Sequence, residues 1–83
     1  MKKIILSLIG LTTISSVVSA QNSVNDGIKF LYYERVTSAK QTLQRAVAAN
    51  PKDALAIYWL GQAYMVDGLL DSAKVLYQNA LNN

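Results

Sequence analysis

Asp67 and Asp71 are acidic residues four positions apart, a spacing that raises acid–base work or a calcium loop. A calcium loop needs further oxygen ligands around its glycine, and they are not there. Two carboxylates without a pocket read instead as turn and cap residues. Thr37, Ser38 and Ser72 carry hydroxyls, but the 83-residue chain has no His and no Cys. With no imidazole to take a proton, these hydroxyls read as caps or helix surface rather than nucleophiles. The missing Cys also excludes a thiol nucleophile, a disulfide framework, a Cys-based zinc site and a lipid-modified cysteine anchor. The missing His removes the commonest metal ligand. Lys40 and Lys74 read as solvated, and Asn82 and Asn83 as a polar end. The chemistry-bearing residues therefore point away from an enzyme, and no cofactor or metal is expected.

The formal charge of +3 looks like a hint of nucleic acid. It dissolves once the first segment is read. Residues 1–20, MKKIILSLIGLTTISSVVSA, begin with Lys2 and Lys3, continue as an uncharged apolar run from Ile4 to Val18, and close on Val18-Ser19-Ala20. This is the three-part pattern of a cleavable secretory signal helix, with cleavage expected after Ala20; the competing reading is an uncleaved N-terminal anchor. The run falls short of the roughly 20 residues that a stable span needs, so no stable membrane span is expected after cleavage. Trimming leaves Lys29, Arg35, Lys40, Arg45, Lys52 and Lys74 against Asp26, Glu34, Asp53, Asp67 and Asp71, a side-chain charge of +1. The remaining basic residues are scattered. That removes the support for nucleic-acid binding and for a basic membrane-surface helix. Export without Cys fits a bacterial cell-envelope protein, periplasmic or secreted, that does not rely on disulfides.

The elements that must position any site follow from a self-similarity. Ser38-Ala39-Lys40 recurs as Ser72-Ala73-Lys74, Gln44 as Gln78, Ala46 as Ala80 and Gly27 as Gly61, all at an offset of 34. Phe30 with Tyr64, Leu43 with Tyr77 and Val47 with Leu81 keep the same register conservatively. A shared offset that also falls on helical spacing marks a repeat. Each unit reads as two helices. In the second, Pro51 and Asp53 open a helix after Asn50. Ile57, Leu60, Ala63 and Tyr64 share one face of it. Asp67-Gly68 ends it, because Gly takes the left-handed backbone without strain. Asp71 is the expected N-cap of the next helix, over Ala73 or Lys74. In that helix Ala73, Leu76, Tyr77, Ala80 and Leu81 again recur at three and four.

The order Leu60-Gly61-x-x-Tyr64-x-x-x-Gly68-x-x-x-x-Ala73-x-x-x-Tyr77-x-x-Ala80 resembles the tetratricopeptide repeat, a helix–turn–helix unit of the same period. In the first unit Gly27, Phe30, Ala39, Leu43, Ala46 and Pro51 match its positions. The resemblance implies an all-α fold, two helix–turn–helix repeats forming a fragment of an α-solenoid. The first covers residues 21–52 and the second 53–83, after the signal peptide 1–20. Gly61 and Ala73 would be the small residues where the helices of a unit cross, and Pro51 would turn the chain into the second unit. Three positions depart from the pattern. Ile57 stands at the family's early tryptophan position, with Trp59 two residues later. Asp26 replaces the leucine before Gly27, and Glu34 stands where the second unit has Gly68. The first helix of the first unit is the element these departures affect.

The resemblance also implies a binding side. The family holds peptides or partner proteins on the concave side, lined by the first helix of each repeat. Here that side would comprise Val24, Ile28, Leu31 and Tyr32, then Leu55, Tyr58, Trp59, Gln62, Met65 and Val66. Tyr, Trp and Met dominate interface energetics. The competing reading is that Leu55, Tyr58, Trp59 and Met65 pack between the repeats or against a missing neighbour. Trp59 is the strongest single candidate, because Ile57 and Leu60 already supply the helix–helix face. The Lys, Arg and Asn with which some members grip a C-terminal carboxylate are not seen, so an apolar or aromatic ligand is expected. About three stacked units are usual for a stable array. Two units imply self-association, dependence on a partner, or the front of a longer, truncated protein. The expected function is a non-enzymatic protein or peptide interaction module. The alternative is a structural segment of a larger envelope protein with no ligand of its own.

Overall fold

The computed structural model describes residues 23–82. The leader expected over residues 1–20 lies outside the described residues. Four helices and no strand occur among the described residues: α1 (23–32), α2 (Val36–Ala49), α3 (Ala54–Val66) and α4 (Leu70–Asn82).

Local chemistry sets the helix ends. Asp53 caps α3, its carboxylate accepting from the amides of Leu55 and Ala56 at 3.1 and 3.3 Å. That occupies two of the amides a helix start leaves unpaired. Pro51 stands outside α3, in the turn before the cap. Asn50 closes this turn by accepting from Asp53 N–H at its carbonyl and from Lys52 N–H at its side chain.

The two intra-unit turns are copies of each other. Arg35 N–H donates to the Phe30 carbonyl at 2.8 Å and Glu34 N–H to that of Leu31 at 3.0 Å. Leu69 N–H donates to Tyr64 at 2.8 Å and Gly68 N–H to Met65 at 3.1 Å. Both are Schellman motifs, which need a left-handed residue just past the helix. Gly68 has φ 78° and Glu34 has φ 62°. The departure at Glu34 therefore keeps the turn and accepts backbone strain that Gly68 avoids. The Schellman turn carries α4 back to Leu70, so Asp71 lies in the first turn of that helix instead of capping it. There it complements the positive end of the helix dipole. Thr37 and Ser38 are likewise inside α2, whose cap position holds Arg35 with no side-chain bond.

The core is a seam of small and branched residues. Ala39, Leu43, Leu60 and Ala63 form one buried cluster, and Val24, Ala46 and Ala56 a second. On α3 the buried stripe is Ala56, Leu60, Ala63, spaced four and three, with Ile57 and Tyr64 half-buried at its edge. Within each unit a glycine receives the partner helix. A Cβ at Gly27 would overlap Leu43, and one at Gly61 would overlap the Tyr77 ring. Each pair is separated by the same interval, so the two crossings are equivalent. The partner of Gly61 is thus the bulky Tyr77, with Ala73 buried beside it. The Tyr77 hydroxyl continues past the glycine and donates to the Tyr58 carbonyl at 3.1 Å.

Candidate functional site

Helix α3, ALAIYWLGQAYMV, is apolar nearly all round. A helix of that kind needs neighbours on every side. It packs against α2 and α4 and, through Val24 and Ile28, against α1, and these neighbours still leave part of its circumference bare. The bare part is a stripe of Leu55, Tyr58, Gln62 and Met65, spaced three, four and three, away from the buried alanines. Leu55, Tyr58 and Met65 are exposed and Gln62 is half-buried. Val66 and Leu69 extend the exposed apolar surface past the end of α3.

Trp59 does not share that exposure. It is half-buried, packs against both core clusters, and meets the Tyr58 ring edge-on with centroids 5.3 Å apart. The corresponding part of α1 is also largely covered. Val24 is buried, and Ile28 and Leu31 are half-buried against the clusters. Tyr32 is 80% exposed at the end of α1, edge-on to the exposed Tyr33. The candidate surface is therefore centred on α3, with Tyr32 at a distance along the chain.

Of the residues assigned to packing, Gly27, Ala39, Leu43, Ala46, Leu60, Gly61 and Ala73 are buried, and Phe30, Tyr64 and Tyr77 are half-buried. Pro51 and Gly68 stand in turns. Ala80 is exposed, unlike its counterpart Ala46, because no helix among the described residues lies over that part of α4.

The polar candidates are structural. Lys40 is paired and not simply solvated: its ammonium lies 2.6 Å from the Asp67 carboxylate, tying α2 to the end of α3. Gln44 donates to the Tyr64 hydroxyl at 3.0 Å, a second tie between the same helices. Asp67 is thereby committed to a lysine, and Ser72 is exposed. No group of three or more His, Cys, Asp or Glu side chains that could hold a metal occurs among the described residues. No helix among them is long and apolar enough to cross a membrane.

A groove of about 630 Å³ was not legible in the sequence. It runs between the end of α2 and α4 over α3, with Val47, Ile57, Tyr58, Leu76, Tyr77 and Ala80 among its walls. Its members come from three helices, and periodicity along one helix says nothing about the gap between two others.

Paired helices in tandem, each pair crossing at a glycine and turning through a left-handed residue at the same place, define a helical-hairpin repeat array. The tetratricopeptide repeat family matches residues 30–83, more than half of the chain. The chain belongs to the tetratricopeptide repeat family, whose repeats serve protein interaction. Searches of curated proteins and of solved structures found no match.

Proposed function

We propose that the chain is a non-enzymatic interaction module of an exported bacterial protein, holding a protein or peptide along the bare stripe of α3. The observation that carries this reading is the exposure of Leu55, Tyr58 and Met65, all on the side of α3 turned away from its buried alanines. Contiguous apolar surface of this kind marks interaction sites, and Tyr and Met are enriched there. The stripe has no basic residue, which favours an apolar or aromatic partner over an anionic tail. The basic side chains remain scattered and Lys40 is taken up by Asp67, which argues against nucleic acid. Export rests on residues 1–20 and places the protein in the periplasm or outside the cell.

Selection of peptides from a random library against the protein tests the binding reading. Apolar or aromatic binders are expected. Tyr58→Ala and Met65→Ala should each weaken them roughly tenfold with circular dichroism unchanged. Binders indifferent to both substitutions would overturn the reading. Trp59→Ala is a poor test alone, because Trp59 supports both core clusters. For export, N-terminal sequencing should return Gln21, and a protein starting at Met1 in the membrane fraction would refute cleavage.

A further inference from the structure

The internal repeat says what would cover the open side of α4. In the first unit α2 grips the following helix through Lys40, which pairs with Asp67, and through Gln44, which donates to the Tyr64 hydroxyl, while Val47 packs on both core clusters. Advanced by 34, the gripping residues are Lys74, Gln78 and Leu81, with lysine and glutamine unchanged and an apolar residue again third. All three are exposed, Leu81 by 86%. Neither Lys74 nor Gln78 has a side-chain partner among the described residues. Two polar residues kept at matching places hold a neighbouring helix in the first unit and hold none among the described residues in the second.

We infer that Lys74, Gln78 and Leu81 form a docking site for a partner helix of the α3 kind, bearing a phenol and, three residues later, a carboxylate. The partner is set by continuity with the α2–α3 interface and by charge. Its pattern is that of Ala56, Leu60, Ala63, Tyr64 and Asp67: small and branched residues for contact, hydroxyl for the glutamine, acid for the lysine. A second copy joined head to tail does not supply it. Its α1 would bring Asp26, Lys29 and Tyr33 to the places of Leu60, Ala63 and Asp67. The inference rests on the interaction reading above, since Tyr58 belongs to the same helix pair, and it names the partner's chemistry.

The test uses the full chain and a fluorescein-labelled synthetic peptide with the sequence of residues 53–68, read by fluorescence anisotropy. Binding is expected, about tenfold weaker with Lys74→Glu. A peptide carrying Asp67→Lys should recover most of that loss on the Lys74→Glu protein. Leu81→Asp should weaken both. These residues are exposed, so circular dichroism should stay unchanged. No binding, or binding unaffected by substitutions at 74, 78 and 81, overturns the inference. Loss on Tyr58→Ala alone overturns it while leaving the α3 reading standing, and indifference to Tyr58 as well overturns both. Binding that follows Lys40→Glu instead of Lys74→Glu means that the peptide has displaced α3 from its own slot, and also overturns it. So does a dimer in sedimentation that Leu81→Asp dissolves and that does not take the peptide.

Discussion

Glu34 and Gly68 fill the same place in two turns with the same hydrogen bonds, yet only one of them suits it. A side chain in the left-handed region costs about 1–2 kcal/mol relative to the favoured backbone, and Glu34 holds φ 62°. Glu34 is exposed, so its removal sacrifices no packing. Glu34→Gly is expected to stabilise the protein by about 1 kcal/mol, which raises Tm by roughly 4–8 °C in a domain of this size. Gly68→Ala should do the opposite, and thermal melts of the two variants check both signs. At this scale the sequence was half legible. The glycine in the second turn announced its backbone. The glutamate hid the same backbone, because the Schellman bonds and not the residue type enforce it.

At the scale of the helix, the two aspartates at helix starts have unequal tasks. Asp53 binds two amides of α3, whereas Asp71 contributes only its charge to the first turn of α4. Asp53→Ala should cost about 1 kcal/mol, and Asp71→Ala a few tenths, diminished further by salt. Urea titrations at low and high ionic strength separate the two. Helix number and order, and the glycine at each crossing, were readable because Gly, Ala and aromatic residues recur at one offset with helical spacing; the residue received at Gly61 was not, being Tyr77 instead of Ala73. The start of α4 was missed by one element of detail: the turn uses Leu69, so the helix begins before Asp71. The Lys40–Asp67 tie was unreadable, since 27 residues separate its partners and only the packing of α3 against α2 brings them together. The exposed stripe was readable in its residue types. Trp59 differed, because a large indole beside Ala56 and Ala46 falls into the gap those small residues leave.

Across the whole molecule, cover is uneven. Helix α2 buries Ala39, Leu43 and Ala46, while α4 buries only Ala73. In a linear array each helix draws its stability from its neighbours. Local opening should therefore begin in the last turns of α4 and reach α2 only with global unfolding. Native-state hydrogen exchange should find the amides near Ala80 unprotected while those near Leu43 exchange last, and uniform protection would contradict it. Trp59 gives this gradient a reporter already built in. It is the single tryptophan, and it sits at the seam of both clusters. Its emission should stay shifted to the blue while α4 frays and move to the red only when α2 and α3 part. Fluorescence and far-ultraviolet dichroism would then give separate melting curves, and the gap between them would measure how far α4 opens independently of α2 and α3.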